Sequence, residues 1–294
     1  MTWRKTLVWA LTLATLLVAA ACGAAETESD PAAAQKPVLL AVSFGTSYNE
    51  SRAADIDALE ASLQEAYPDY EVRRAFTSQI IIDILEEREG LEIDNVTEAM
   101  DRLVADGVTE VVIQPTHVIP GFEYDDVMAE VSAYAQQFSS FKTGLPLLSD
   151  EADFDQLVTI LTEKTASYSA EGTAVVFMGH GTEHEANAAY AALQQKFIDA
   201  GAANYFVGTV EAEPTLEDVM AQVEDIGAAK VVLLPLMMVA GDHACNDMAG
   251  DEEGSWKATF EEAGYEVECV LEGLGRSAGV QEMLASHAAA AMAE

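Results

Sequence analysis

The chain has 294 residues, of which 50% are hydrophobic and 22% are charged, so the composition predicts a folded protein with a sizeable core rather than a disordered one. Its formal net charge of −37 repels the phosphates of nucleic acid and anionic membranes. We therefore expect no nucleic-acid partner, and the charge alone identifies no specific site.

The N-terminal segment is predicted to lie outside the fold. Arg4 and Lys5 precede an apolar run over 6–21 that is too short for a membrane span, and small residues then lead to Cys22. We interpret residues 1–21 as a secretory signal of the lipoprotein type, with Cys22 acylated, and 22–36 as a flexible tether. Cleavage at an Ala-x-Ala site without a lipid is the alternative. Both predict an exported, periplasmic protein, and the first predicts a membrane tether.

Two further cysteines, Cys245 and Cys269, could form one disulfide in an oxidising compartment. Two unpaired thiols agree with the sequence equally well. The chain contains no CxxC pair that would indicate a zinc or redox centre.

Apolar runs alternate with helical patterns from residue 38 onward. Val38–Phe44 predicts a strand, 49–67 predicts a helix stopped by Pro68, and "YEVRRAFT" predicts a second strand. A helix ending at Gly107 and the strand "TEVVIQP" follow. This βαβ order predicts a parallel sheet with ligand sites at the carboxyl ends of its strands.

The second half of the chain repeats this order. Gly107 is followed eight residues later by Pro115, and Gly227 is followed eight residues later by Pro235. We therefore predict two similar α/β domains of the flavodoxin-like or Rossmann-like kind, over 37–148 and 149–294. Facing each other, two such domains form a cleft between their strand ends.

The two copies differ in their histidines. His180 stands where the first copy has Phe44, and His243 stands where it has Glu123. A requirement of the fold should act on both copies, so histidines in one copy alone indicate chemistry.

A metal site is the chemistry that these residue types favour. His180 and His243 each lie near glycine after an apolar strand, and the loop "TVEAEP" adds Glu211 or Glu213. Two imidazoles and one carboxylate suit Co²⁺, Ni²⁺, Fe²⁺ or Zn²⁺, and a neutral imidazole also accepts protons near neutral pH.

The other histidines are weaker candidates. His117 ends the matching strand of the first domain and is expected either to face the cleft, for substrate contact or proton transfer, or to pack in its loop. His184 follows His180 at the i+4 spacing of zinc-binding histidines, so a direct role is one interpretation, and a cleft-rim or solvated histidine is the preferred one. His287 is interpreted as a surface residue. The sequence has no Walker loop, no G-x-G-x-x-G and no G-x-S-x-G elbow, so metal handling without a nucleotide is expected.

Long motifs carry a family resemblance. The segments "MGHGTEHEANAAY", "VGTVEAEP" and "LPLMMVAGDHACNDMAGDEEGSWK" resemble the CbiK-type sirohydrochlorin cobaltochelatases, which act without ATP. "LLAVSFGTSYNESR" and "PTHVIPGFEYDDV" resemble their first domain, so the likeness covers about residues 37–288.

The resemblance implies a class II chelatase fold with a tetrapyrrole in the cleft. It also implies that His180, Glu211 and His243 hold the incoming Co²⁺ (with Fe²⁺, Ni²⁺ or Zn²⁺ acceptable to the same donors), and that the histidines help accept the pyrrole protons. Candidate substrate contacts are Ser43, Phe44, Gly45, His117, Glu123, Met237 and Asp242.

Two tensions leave alternatives open. Sirohydrochlorin carries eight carboxylates, and this acidic chain offers only a few cations for them, with Arg52, Arg73, Arg74 and Lys257 as candidates. Export separates the protein from cytoplasmic cobalamin synthesis, so a periplasmic carrier of metal or tetrapyrrole is the main alternative. A nonspecific buffer of divalent cations is a weaker one, and a homo-oligomer is left open.

Overall fold

A computed structural model describes residues 36–294. The predicted signal segment, the lipidation site at Cys22 and most of the tether lie outside the described residues. Within the described part, every helix is too short or too polar to cross a bilayer.

The first half of the described chain alternates strands with helices. Its first helical segment begins at Asn49, continues through a π-helical stretch, Arg52–Asp57, and ends before Pro68. The elements are β1 (Val38–Ser43), α1 (Asn49–Ser51), α2 (Ala58–Ala66), β2 (Glu71–Phe76), α3 (Gln79–Glu89), α4 (Val96–Ala105), β3 (Glu110–Pro115), α5 (Phe122–Ser132) and β4 (Ser140–Thr143).

The second half has the same alternation, and a π-helical stretch, Ala244–Met248, follows its third strand. The elements are α6 (Glu151–Lys164), β5 (Thr173–Gly179), α7 (Ala188–Asp199), β6 (Tyr205–Thr209), α8 (Leu216–Asp225), β7 (Lys230–Pro235), α9 (Trp256–Glu262), β8 (Glu266–Cys269) and α10 (Ala278–Ala293).

The strands form two four-stranded sheets in which every pairing is parallel. The strand orders are β2-β1-β3-β4 and β6-β5-β7-β8, so the two halves share one topology and the predicted repeat is confirmed. The central strands β1 and β5 are buried along their whole length because helices cover both faces of each sheet. Along β1, Val38, Leu40 and Val42 face one core cluster, and Leu39 and Ala41 face another.

The last helix packs against both sheets. Val280 and Leu284 of α10 lie in a core cluster of the second sheet. Ala288 and Ala291, two turns further on, are buried with Leu39 and other residues of the first sheet. The two sheets therefore share a helix, and the described residues form one compact unit. The predicted boundary at 148/149 stays a prediction.

A buried ion pair also joins the two halves. Asp55, in the π-helical stretch of the first half, has a fully buried side chain and accepts a hydrogen bond from Arg276 Nε at 2.5 Å. Its other oxygen accepts the backbone N–H of Ala240 at 3.1 Å. A Cβ at Gly273 would lie 2.5 Å from Asp55 Oδ2, so a glycine is required at this contact. Asp55 thus fastens the first half to the loop after β7.

Candidate metal centre and tetrapyrrole cleft

Three neighbouring strands of the second sheet carry the predicted metal ligands. His180 directly follows β5, Glu211 lies two residues beyond β6, and His243 lies in the helical turn after β7, just before the π-helical stretch. Because β5 lies between β6 and β7, their carboxyl ends meet at one edge of the sheet. One ligand atom from each of the three side chains lies within 4.8 Å of the others. The spacing fits a single first-row cation held by two imidazoles and a carboxylate.

The turn after β5 depends on glycine. Gly181 has φ +85°, and Gly45, its counterpart after β1, has φ +98°. A Cβ at Gly181 would lie 2.8 Å from the backbone nitrogen of Ala212, in the loop that carries Glu211. The close approach brings the two ligand-bearing loops together, and His180 O accepts the N–H of Glu211 at 2.9 Å. The matching glycines also support the predicted register of the repeat.

Hydrogen bonds orient both imidazoles. His180 Nδ1 lies 2.8 Å from the carbonyl oxygen of Gly181, and His243 Nδ1 lies 2.6 Å from Asp247 Oδ2. Each Nδ1–H can donate to its oxygen, which leaves Nε2 with a free lone pair for a metal. Asp247 was not among the predicted site residues, although its position four residues after His243 is a signal that could have identified it.

The three predicted ligands lie at the wall of a cavity of about 540 Å³ between the two halves. Its walls combine the carboxyl ends of both sheets, as predicted from the sequence. Apolar side chains such as Ile56, Val118 and Leu236 cover much of the wall. All seven predicted substrate contacts line it: Ser43, Phe44, Gly45, His117, Glu123, Met237 and Asp242.

His117 is a buried and unpartnered histidine in the wall supplied by the first half. It is 9% exposed, and neither ring nitrogen has a hydrogen-bond partner. Burial lowers the pKa of His117 to about 4, so the ring is neutral near pH 7. Its Nε2 lies 3.7 Å from a carboxylate oxygen of Glu123, whose pKa is raised by partial burial.

The remaining two histidines have structural contacts. His184 accepts the N–H of Ala186, lies 3.4 Å from Asp125 and packs edge-on against Phe122 at 4.8 Å, so it joins the two halves at the cleft rim. The prediction of His287 as a surface residue is wrong. Its side chain is largely buried and lies 3.0 Å from Asp153, because α10 packs inward rather than ending in solvent.

The cations proposed for the substrate's acid groups are paired with carboxylates of the protein itself. Arg73 contacts Glu71 and Asp106, Arg74 contacts Asp57 and Glu60, and Lys257 contacts Asp251. Among the described residues that line the cavity, none is Lys or Arg. Cys245 and Cys269 are free thiols in this structure.

Sequence comparison identifies the family. The chain matches the family described as "Cobalt chelatase (CbiK)" over residues 37–293. The chain belongs to the cobalt chelatase family. A sirohydrochlorin cobaltochelatase of Salmonella typhimurium is 41% identical over 252 residues, 86% of this chain and 95% of that protein. The sirohydrochlorin cobaltochelatase CbiKC of Nitratidesulfovibrio vulgaris is 32% identical over 262 residues, 88% of this chain and 91% of that protein.

Solved chelatases share the fold of this cobalt chelatase family member. SirB from Bacillus subtilis, solved with Fe³⁺, aligns with a TM-score of 0.58 at 14% identity and covers 86% of this chain and 94% of its own. CbiX, the terminal enzyme of sirohaem biosynthesis in denitrifying bacteria, aligns with a TM-score of 0.51 at 19% identity, over 86% of this chain and 99% of its own. The predicted class II chelatase fold is confirmed.

Proposed function

We propose that this protein inserts Co²⁺ into sirohydrochlorin without a nucleotide. One observation supports the proposal most directly. One ligand atom from each of His180, Glu211 and His243 lies within 4.8 Å of the others, at the wall of a cavity enclosed by both sheets. Membership of the cobalt chelatase family, and two relatives named sirohydrochlorin cobaltochelatase that align over nearly their full lengths, support it.

The three ligands hold Co²⁺ before transfer. They fill only part of its coordination sphere, so the macrocycle nitrogens can take the remaining positions. The side chains of His180 and Glu211 are 47% and 55% exposed, which leaves the ion room to move toward the macrocycle. Fe²⁺, Ni²⁺ and Zn²⁺ accept the same donors. We therefore propose that the availability of each metal ion, rather than this ligand set, determines which metal is inserted.

Insertion exchanges one dication for the two protons of the pyrrole N–H groups, so the site requires proton acceptors. His180 and His243 are proposed to serve once the metal has left them. His117 is a further candidate because it lines the cavity as a neutral imidazole with unpartnered nitrogens. Glu123, 3.7 Å from it and half exposed, provides an exit to solvent.

The activity is tested by adding the purified protein to sirohydrochlorin and Co²⁺ and following the absorption change of the macrocycle. We expect a rate well above the protein-free rate, which double replacement of His180 and His243 by Ala abolishes. Glu211→Gln should weaken Co²⁺ binding, and Glu213→Gln, in the same loop, is the matched control. Tight stoichiometric binding without turnover would instead indicate a carrier, and metal binding that survives the double replacement would indicate a nonspecific buffer.

We also propose that the protein is exported and tethered through a lipid on Cys22. The residues that support this are Arg4, Lys5, the apolar run and the small residues before Cys22. Labelling of cells with a fatty-acid analogue should mark the wild-type protein and leave Cys22→Ser unmarked. Equal labelling of both would reject lipidation, and recovery of an unprocessed chain in the cytoplasm would reject export.

A further inference from the structure

We propose that Arg88, supported by Arg52, receives the carboxylates of the tetrapyrrole at the mouth of the cavity, an inference that rests on the proposed function. A substrate with eight carboxylates must enter a cleft whose described lining residues include no Lys or Arg and do include Glu123, Glu211 and Asp242. The acid groups therefore need a cationic site beside the cavity rather than inside it.

Arg88 lies next to the cavity wall. Its Nη2 donates to the carbonyl oxygen of Ser47, a lining residue, and to Asn49 Oδ1 at 2.8 Å. It stands seven residues after Ile81 on α3, and therefore on the same helix face, about 10 Å along the axis. Ile81 itself lines the cavity. Arg88 is 47% exposed, so its guanidinium can turn to an incoming anion.

Arg52, Arg88 and Glu89 form a cluster in which the ratio of positive to negative charges differs from that of the other ion pairs. Arg52 and Arg88 contact the same carboxylate, that of Glu89, so two guanidinium groups share one negative charge. Arg52 is only 13% exposed and also donates to Asn49, so it fixes the position of Glu89 beside Arg88. The cluster keeps an excess of one positive charge in a strongly acidic protein.

The remaining described cations offer no such excess near the cleft. Each of the following contacts at least one carboxylate that no other cation shares: Arg73, Arg74, Arg102, Lys164, Lys196, Lys230, Lys257 and Arg276. Lys36 precedes β1 and so lies at the opposite edge of the sheet from the cavity. Lys142 pairs with Val112 in the middle of β3 rather than at its carboxyl end.

A guanidinium suits this task because its planar donors match a carboxylate in two-point contact. The macrocycle can then place its apolar faces against the cavity wall while its acid groups on one side lie near Arg88 and the others reach solvent. Arg88 would act on substrate binding and orientation, and not on the metal.

The test is titration of metal-free porphyrins into the protein, with uroporphyrin (eight carboxyl groups) and coproporphyrin (four) as probes. Because a hydrogen bond to a charged group contributes about 1.5–3 kcal/mol, we expect Arg88→Gln to weaken uroporphyrin binding about tenfold or more. The effect on coproporphyrin should be smaller. Arg88→Lys should restore part of the affinity, and the affinity lost in Arg88→Gln should shrink as salt is raised. Arg102→Gln, an exposed arginine paired with Asp94, is the matched control.

Equal affinities for Arg88→Gln and Arg102→Gln, or equal losses for both porphyrins, would overturn the proposal. Co²⁺ titration of the same variant should match the wild type, because Arg88 contacts none of the three metal ligands; a weakened Co²⁺ affinity would also overturn it. The porphyrin titration requires no turnover. A protein that binds porphyrins selectively through Arg88 but does not insert Co²⁺ would reject the proposed function and retain this inference.

Discussion

At the scale of single residues, the imidazoles of His180 and His243, the two proposed metal ligands, have different hydrogen-bond partners. His180 donates to a neutral carbonyl, whereas His243 donates to the carboxylate of Asp247. A carboxylate behind an imidazole fixes its tautomer and ring orientation, so His243 should be the stronger metal ligand of the two.

Asp247→Asn tests this difference. The amide oxygen still accepts the Nδ1–H bond but the negative charge is lost, so we expect Co²⁺ affinity to fall about tenfold or more with little change in fold stability. Isothermal titration of the purified variant with Co²⁺ measures it. Asp251→Asn, which only loosens an exposed pair with Lys257, is the control. An unchanged affinity in Asp247→Asn would show that hydrogen-bond geometry alone orients His243.

His117 should give the protein a pH-dependent stability. Its folded pKa of about 4 lies below the ordinary value of 6.5, so the unfolded chain binds a proton that the folded chain excludes. This contribution is fully present above pH 6.5 and is lost as pH falls from 6.5 toward 4, by up to about 3 kcal/mol.

The measurement is urea unfolding of wild type and His117→Gln at a series of pH values. As pH falls through that window, the free energy of unfolding of the wild type should fall more than that of the variant. Parallel curves would mean that His117 reaches solvent when protonated. Comparing the two proteins removes the contribution of the many carboxylates that both share.

At the scale of elements, the βαβ order, the repeat and the ligand-bearing strand ends can all be predicted from the sequence. Apolar runs define buried parallel strands, and parallel strands with crossover helices bring their carboxyl ends to one edge. Helix α3, which carries Arg88, was not predicted because consecutive isoleucines at 80–82 obscure the helical period. Asp55 could not be recognised either, since its partners lie 185 and 221 residues away.

The turn between β5 and α7 allows a test at this scale. Gly181→Ala requires a left-handed backbone at a cost of about 1–2 kcal/mol, and it also places a Cβ 2.8 Å from the backbone of Ala212. Gly172, with φ +77° and open space around it, is the matched control. We expect Gly172→Ala to show the backbone cost alone in urea unfolding. Gly181→Ala should be less stable still and should bind Co²⁺ more weakly, because the loops of His180 and Glu211 are pushed apart.

If the two glycine variants lose the same stability and both bind Co²⁺ like the wild type, the close approach of the two loops does not set the metal site. The predicted ligand positions would then depend on the strand ends alone.

At the scale of the whole molecule, the two sheets are joined by α10, by the rim contact of His184 with Phe122, and by Asp55. Asp55→Ala removes the acceptor of both Arg276 and the Ala240 amide, so we expect a loss of about 3 kcal/mol in the free energy of unfolding. Denaturation followed by fluorescence and by circular dichroism should still give one coincident transition. Asp155→Ala, which breaks an exposed pair with Lys196, should leave the free energy of unfolding nearly unchanged because solvent screens that pair.

Two separated transitions in Asp55→Ala would show that this carboxylate is what makes the halves unfold together. A loss as small as that of Asp155→Ala would mean that α10 and the rim contact hold the cleft without it.

The placement of α10 has a consequence for how the protein is made. When the ribosome has released residue 143, all four strands of the first sheet exist, but Ala288 and Ala291, which help cover Leu39 and Ala41, have not been synthesised. The strands that are synthesised first therefore stay partly exposed until the last residues of the chain have been added. Premature termination in the final helix would damage the half of the protein that is translated first.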